Sequence, residues 1–350
     1  MVNWLVSQLA GDATRRDPKQ AWNLLLSIPK ESEAFTEAAR FTVLALFRIK
    51  DLQGLRACSA LISSVGQTSL FQQMVHGAAL YFQAMLKGDT ADAQAVANKL
   101  IKDSNLLCDL DSQVEALQFL ATSLTMTSEF ERAITVYLEA IKLASRSNNL
   151  SLICSLKGNI AVSFFHAGDV RTALTCSEEA YDISTEIADL GLRGVFGSNY
   201  ALYNALLGDI ENAQTVIEEV LPIAEIVGGN QLLARCYGVQ GIVSAELAIS
   251  EKSVNAKVEN SRLLKKALDE FGLQQEMSGG VGSLTNLTER NALYALCLHL
   301  AGFNEKGLEY AGNVIDSCED DSTPEGMRDR WPYKLAKSIV ESISSSPSLP

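Results

Sequence analysis

The chain has 350 residues, 47% of them hydrophobic, with 29 lysines and arginines against 42 aspartates and glutamates, a formal net charge of −13. This composition permits a large buried core and excludes a disordered chain. The acidic balance, without any basic stripe, argues against direct binding of nucleic acid and favours a basic or apolar protein segment as partner.

The termini and cysteines indicate a soluble protein of a reducing compartment. The N-terminus has no basic region ahead of an apolar stretch, unlike a secretory signal. No uncharged apolar run approaches the roughly 20 residues that cross a bilayer. The cysteines show neither CxxC nor zinc-ribbon spacing and are predicted to be small core residues in the cytoplasm. They are Cys58, Cys108, Cys154, Cys176, Cys236, Cys297 and Cys318.

The first 67 residues predict divergent helical hairpins. Asp17, Pro18 and Ala21 have the order of a helix cap, a first-turn proline and a small packing residue. Asp51 and Leu55 begin a second helix of the same kind. These two helices are expected to extend a repeat array towards the N-terminus.

Residues 68–228 contain a repeat with a period of 40 residues. Its anchor column is alanine throughout: Ala93, Ala133, Ala173 and Ala213. Five residues before each anchor is a small turn residue: Gly88, Ser128, Gly168 and Gly208. An acidic residue follows each turn residue: Asp89, Glu129, Asp169 and Asp209. A small or apolar column also precedes each turn: Tyr81, Ala121, Ala161 and Ala201.

Each column has a physical reason in a helix–turn–helix unit. The glycine suits a left-handed turn after the first helix, where a side chain would be strained. The acidic residue accepts hydrogen bonds from the free N–H groups at the start of the second helix. The small residues allow the two helices to approach closely. Apolar residues at spacings of three and four predict that both helices are amphipathic.

Residues 229–323 are expected to continue the array in divergent form. Helix Leu232–Ile249 pairs with Val258–Phe271, and Leu287–Leu300 pairs with Glu305–Ser317 through Gly302. A loop is predicted at 273–284, a capping helix over Glu325–Ile343 within residues 324–346, and a disordered tail at 347–350. The chain would thus be one domain over residues 1–346.

The pattern of Ile160, Ala161, Phe164, Gly168 and Ala173 resembles the tetratricopeptide consensus. It departs from that consensus at the early tryptophan-like position, where Lys157 and Gly197 stand, and it lacks the terminal proline. The longer period is similar to that of MalT-like bacterial regulators, Rap-like peptide-binding proteins and the cohesin-loader subunit family. The resemblance implies an all-α, right-handed superhelical solenoid of about eight antiparallel hairpins with a C-terminal capping helix.

Catalytic and metal-binding patterns were sought in the sequence. His76, His166 and His299 have no second ligand at helical spacing, so each is interpreted as a core or groove-lining residue. The glycine-rich stretch Gly279–Ser283 lacks the lysine of a phosphate loop. Acidic pairs such as Glu178-Glu179 are expected to keep the outer face soluble. The sequence predicts no enzyme, no cofactor and no metal site.

The resemblance implies that the first helices line a concave groove. The predicted groove residues are Phe82, Met85, Gln118, Thr122, Thr125, Val162, Phe165, His166, Ser198, Leu202, Leu206 and Ile242. At the positions where Hsp70/Hsp90-binding members carry a lysine and asparagine clamp, this chain has other residues, which disfavours a chaperone-tail adaptor. The small, apolar wall instead suits an amphipathic or apolar peptide, unless the array's own turns or the C-terminal helix cover it.

Two functions remain open from the sequence. The first is a non-catalytic scaffold or adaptor that holds a partner protein segment in the groove. The second is a ligand- or signal-peptide-sensing domain of the MalT-like or Rap-like type, which controls a transcription or signalling effector. Neither involves a membrane or direct contact with nucleic acid, and both leave homo-oligomer formation open.

Overall fold

The computed structural model describes residues 18–30, 32–48, 50–65, 69–147, 149–227, 230–250, 302–320 and 331–345, together with isolated positions between 265 and 299. Some of the predictions fall outside these residues: those at Asp17, Cys297, 257–264, 273–284, 324–330 and 347–350. The chain divides into two compact units: Met1–Leu156, called unit 1, and Lys157–Pro350, called unit 2.

All regular structure in the described residues is helical. The helices in the first part are α1 (Pro18–Ser27), α2 (Glu33–Arg48), α3 (Leu52–Ser64), α4 (Leu70–Lys87), α5 (Thr90–Leu107), α6 (Leu110–Met126) and α7 (Phe130–Ala144). The remainder are α8 (Leu150–Ala167), α9 (Val170–Glu186), α10 (Leu190–Leu206), α11 (Ile210–Val227), α12 (Asn230–Ser250), α13 (Asn304–Glu319) and α14 (Trp331–Ser345).

The predicted period is confirmed by the helix boundaries. The first helices of four successive hairpins begin at Leu70, Leu110, Leu150 and Leu190, and their second helices begin at Thr90, Phe130, Val170 and Ile210. Each anchor alanine is fully buried. The all-α fold of tetratricopeptide-like hairpins is therefore confirmed.

The turn within each hairpin has the predicted left-handed geometry. Gly88, Gly168 and Gly208 have φ values of 75°, 92° and 85°, and no atom lies within 4 Å of a Cβ added at any of them. Ser128 adopts the same conformation at φ 65° and Lys50 at φ 57°. Hence the backbone geometry of the turn is kept even where the glycine is not.

Three of the four predicted acidic caps are confirmed. Asp89, Asp169 and Asp209 each accept a hydrogen bond from the backbone N–H three residues further on, at 3.0–3.2 Å. The prediction was wrong at Glu129, which makes no such bond. Its longer side chain reaches back instead and accepts from the Thr127 hydroxyl at 2.9 Å.

A second set of caps, which the sequence analysis missed, starts the first helices. Ser69, Asp109, Asn149 and Asp189 accept from the backbone N–H of Gln72, Ser112, Leu152 and Leu192. These caps also recur every 40 residues. The signal was thus available as a column of short polar side chains ahead of each first helix.

Each unit has its own hydrophobic core. In unit 1 the main cluster includes Leu25, Phe35, Leu55, Tyr81 and Phe82. In unit 2 the main cluster includes Phe165, Tyr203, Ile217 and Ile242, and a smaller cluster joins α13 to α14 through Val314 and Ile339. Helix α14, which lies within the predicted capping segment, therefore packs on α13.

The cysteine prediction holds at four positions and is wrong at one. Cys58, Cys154, Cys236 and Cys318 are buried, Cys176 is half-buried and Cys108 is exposed. Cys108 ends α5 in the left-handed conformation at φ 56°, so its side chain is directed away from the core. None of the six cysteines that the structure describes is bonded in a disulfide.

By length and composition alone, one of the described helices, α8, is apolar enough to cross a membrane. Within unit 2, however, its Ile160, Ala161 and Phe165 are buried in the protein core. Lys157 on the same helix forms an ion pair with Glu179 of α9. These contacts identify α8 as a core helix of the array.

Candidate binding surface

The candidate surface is the face of the first helices on which the predicted groove residues lie, called here the first-helix face. In unit 1 it is formed by α2, α4 and α6, and in unit 2 by the later part of α8 together with α10 and α12. Within each unit, neighbouring first helices contact one another along this face, through Phe47, Phe82 and Phe119 in unit 1 and through Gly158 and Phe196 in unit 2. Some of the predicted residues are therefore buried, and others keep part of their surface accessible.

An aromatic stack fills the first-helix face of unit 1. The ring of Phe82 stacks on Phe47 with centroids 4.2 Å apart and meets Phe119 edge-on at 5.3 Å. Tyr81 stacks on Phe119 at 4.5 Å and donates its hydroxyl proton to the Phe119 carbonyl at 2.9 Å. Burial raises the pKa of Tyr81, which keeps this donor protonated.

The other predicted residues of unit 1 differ in exposure. Thr125 is buried, and its hydroxyl donates to the Ala121 carbonyl at 3.0 Å. Met85, Gln118 and Thr122 are half-buried. Thr122 Oγ1 lies 2.9 Å from the hydroxyl of Tyr137 on α7, so it links the two helices of its own hairpin.

Arg40 and Glu115 form an ion pair that connects α2 to α6 across the intervening first helix. Arg40 also lies 3.8 Å from Glu37. Burial raises the pKa of the Glu115 carboxyl, and the charge of Arg40 opposes that rise. The pair neutralises the one half-buried guanidinium on this face in the described part of unit 1.

Arg40 was not among the predicted groove residues, although the repeat register contains it. Ala78 and Gln118, which were assigned to the groove wall by register, stand 15 residues before their anchors Ala93 and Ala133. Arg40 stands at the same distance before Leu55, the anchor of the divergent hairpin. Extending the register into the N-terminal repeats would have placed it on this face.

In unit 2 the predicted wall is largely filled by the chain itself. Phe165, His166, Ser198, Leu202 and Ile242 are buried, whereas Val162 and Leu206 are half-buried. The Phe165 ring lies 4.7 Å from that of Tyr203, and the Ser198 hydroxyl donates to the Val195 carbonyl at 2.8 Å.

Gly158 shows how closely the first helices approach in unit 2. A Cβ added at this position would lie 1.9 Å from the Phe196 ring, which is itself buried. The space that a side chain at position 158 would occupy belongs to α10. The burial of seven predicted residues corrects the expectation of a continuous open apolar wall. These core residues are Phe82, Thr125, Phe165, His166, Ser198, Leu202 and Ile242. Their role in binding stays a prediction.

Arg235 is the cationic residue of the first-helix face in unit 2. It is half-buried on α12, and its Nη1 donates to the side-chain oxygen of Asn199 on α10, which is buried. Arg235 falls in the 40-residue column of Glu115, Ser155 and Val195. None of those three residues was among the predicted groove residues, so the column alone does not identify Arg235 from the sequence.

The acidic residues of the second helices do more than the predicted solubilisation. The Glu219 carboxylate accepts from the Tyr181 hydroxyl at 2.8 Å and from Arg193 at 3.1 Å. Glu178 accepts from the Tyr200 hydroxyl at 3.1 Å. The bonds from Arg193 and Tyr200 join the first helix α10 to second helices, and the bond from Tyr181 to Glu219 joins the second helices α9 and α11. Among the described residues, no group of three or more histidine, cysteine or acidic side chains is placed to hold a metal ion.

No family model matches the sequence, and no match to a curated protein was found. Solved structures do share the fold. The apo form of RapI superimposes with a TM-score of 0.56 at 14% identity, over 88% of this chain and 98% of RapI. A Rap protein complexed with Competence and Sporulation Factor gives 0.54 at 11% identity, over 98% and 97% of the two chains. The apo quorum sensor NprR from B. thuringiensis gives 0.53 at 14% identity, over 97% and 98%.

Proposed function

We propose that this chain is a non-catalytic binding protein of the cytoplasm that holds a partner protein segment or an amphipathic peptide on its first-helix face. The observation that carries the proposal is that predicted groove positions keep half-buried apolar side chains in each unit, Met85 in unit 1 and Val162 and Leu206 in unit 2. Each stands at a register position that tetratricopeptide arrays use for binding. Their remaining exposure offers apolar area to a ligand, at roughly 25 cal/mol per Å² buried before the ordering cost.

The second candidate function is a sensory module that controls a transcription or signalling effector. It is favoured by the similar structures, because one is a Rap protein complexed with Competence and Sporulation Factor and another is the quorum sensor NprR. The fold likeness extends over nearly the whole of those chains. Both candidate functions use the same surface and differ in whether the ligand is a partner protein or a signal.

The surface is tested with Met85, Val162 and Leu206 changed together to aspartate. We expect the variant to lose partners in affinity capture from the native cell, measured by mass spectrometry, because three new charges oppose apolar contact. Phe82 and Phe165 are unsuitable for this test, since a carboxylate in their buried sites would unfold the protein.

The matched control changes Leu26, Leu106 and Leu138 to aspartate. These leucines are 54%, 70% and 54% exposed and lie on second helices. The control should retain every partner that the wild type captures. Equal capture by all three proteins, with unchanged helical circular dichroism, would contradict the proposal.

The two candidate functions are distinguished by thermal unfolding in the presence of ligands. A ligand that binds only the folded state raises the unfolding temperature. Stabilisation by small signal peptides or sugars alone would support the sensory module. Stabilisation only by a captured partner protein would support the scaffold.

A further inference from the structure

Arg235 differs from the other half-buried arginines in its partner. Among the described residues these arginines are Arg40, Arg193 and Arg235. Arg40 pairs with Glu115, and Arg193 pairs with Glu219 at 3.1 Å. Within the described part of the chain no carboxylate pairs with Arg235, whose bonding partner is the neutral amide of Asn199. Its positive charge is therefore held in place without being neutralised.

The bond to Asn199 orders the guanidinium and leaves donors free. Asn199 is 3% exposed and belongs to α10, so it provides a fixed acceptor for a side chain on α12. A guanidinium carries five N–H groups, and the bond to Asn199 uses one of those on Nη1. Arg235 is half-buried, and none of its nitrogens is a fully buried polar atom without a partner among the described residues. An ordered arginine loses little freedom when it binds a further acceptor.

Apolar side chains lie on both sides of this charge along α10. Val195 precedes Asn199 by about one helical turn and is 40% exposed. On the other side, the half-buried Leu206 follows Asn199 by about two turns, with the buried Leu202 between them. A segment lying along this row would continue past the guanidinium in both directions. The group that meets Arg235 would then belong to a side chain within the segment, since the end of a chain would leave one side of the row uncovered.

We infer that Arg235 binds the carboxylate of an aspartate or glutamate side chain in a partner segment whose flanking residues are apolar. This inference rests on the proposed function and specifies the chemistry of its ligand. A planar guanidinium and a carboxylate form charge-assisted, two-pronged hydrogen bonds. The apolar neighbours exclude water when the ligand covers them and so strengthen the pair. The net charge of −13 opposes each carboxylate on a ligand, so the expected segment is apolar apart from the single acidic side chain that Arg235 binds.

The test begins with a random-peptide library displayed on phage and selected against the purified full chain. Selected peptides should share one acidic residue between apolar residues. A fluorescent version of the best peptide is then compared with its amide counterpart, in which the acidic residue becomes glutamine or asparagine. We expect the amide peptide to bind the wild type roughly tenfold more weakly or worse, measured by anisotropy.

Protein variants assign this difference to Arg235. Arg235→Gln should make the acidic and amide peptides bind equally, because the glutamine amide can still donate to Asn199 but carries no charge. Arg171→Gln removes an exposed arginine of the same unit and should preserve the difference. The acidic peptide should also lose more affinity with added salt than the amide peptide does, a readout that requires only the wild type.

Each contrary result has a distinct meaning. An acidic preference that persists in Arg235→Gln, or a salt dependence equal for both peptides, would overturn the inference. The inference would also be overturned, while the proposed function stands, if the library enriched purely apolar peptides. The same holds if amidation of the peptide C-terminus alone abolished binding. A library from which no peptide is enriched would overturn the proposed function and this inference together.

Discussion

The two units treat the arginine of the first-helix face in opposite ways. In unit 1, Arg40 is neutralised by Glu115, which reaches it from a first helix that is not its neighbour. In unit 2, Arg235 is bound only by the neutral amide of Asn199 among the described residues. A charge that is paired within the chain supports the fold, whereas an ordered charge without a counterion is available to a ligand.

The same contrast exists in the apolar packing. Unit 1 fills the face with the rings of Phe47, Phe82 and Phe119, which contact one another across three first helices. In unit 2 the ring of Phe196 lies against Gly158, and α8 and α10 can approach this closely because glycine has no side chain. The packing of unit 1 is expected to tolerate substitution by rearranging rings, whereas that of unit 2 has no room to do so.

The largest expected effect comes from Gly158→Ala. The new methyl group would overlap the buried Phe196 ring, at a cost of about 2–3 kcal/mol in the free energy of unfolding. Gly312→Ala is the matched control, because nothing lies within 4 Å of its added Cβ. The control should gain roughly 0.5–1 kcal/mol from better helix propensity. Urea denaturation measures both, and equal stability of the two variants would refute the close approach.

The next effect concerns the ion pair of unit 1. Arg40→Met leaves Glu115 without its cation and should lower the free energy of unfolding by about 1–2 kcal/mol. Replacing both residues by apolar ones should restore much of that loss, because no unpaired charge remains. Arg235→Met should cost less than Arg40→Met, since it leaves only a neutral amide. If Arg235→Met lowered the free energy of unfolding more than Arg40→Met does, the arginine of unit 2 and not that of unit 1 would be the one that supports the fold.

The smallest effect compares two caps. Asp169→Ala in unit 2 should cost about 1 kcal/mol, because Asp169 accepts from the Thr172 N–H, whereas Glu129→Ala in unit 1 removes no cap and should cost a few tenths. Hydrogen bonds from the Thr172 hydroxyl and, second, from the Thr172 backbone N–H lower the pKa of Asp169 from 3.8. Its stabilisation is therefore present above about pH 3.8 and decreases as the pH falls through the folded-state value. Thermal unfolding of wild type and Asp169→Ala should converge in that range, and a gap that widened towards low pH would contradict the assignment.

The repeat and its turns were predictable because they are local. The glycine column and the acidic column reflect backbone geometry and hydrogen bonds within a few residues of each turn. Gly168 therefore adopts the predicted left-handed conformation, and Asp169 caps the following helix as predicted. Glu129 failed as a cap for an equally local reason: its side chain is one methylene longer than that of aspartate. Extending the register to Leu55 would have added Arg40 to the surface.

The exposure of the first-helix face depended on contacts between hairpins. The register assigns Phe82, Phe165 and Leu202 to this face, yet all three are buried by contacts that the register does not indicate. The same holds for the partners of the arginines. Nothing near Arg40 in the sequence indicates Glu115, which lies 75 residues away.

Thus the sequence by itself determined the helices, their period and their turns, because each of these depends on neighbouring residues along the chain. The tertiary structure alone decided which side chains of the first-helix face remain accessible and which charges are neutralised. The reason is that close packing and ion pairing are set by the distance between hairpins, which a 40-residue repeat does not encode.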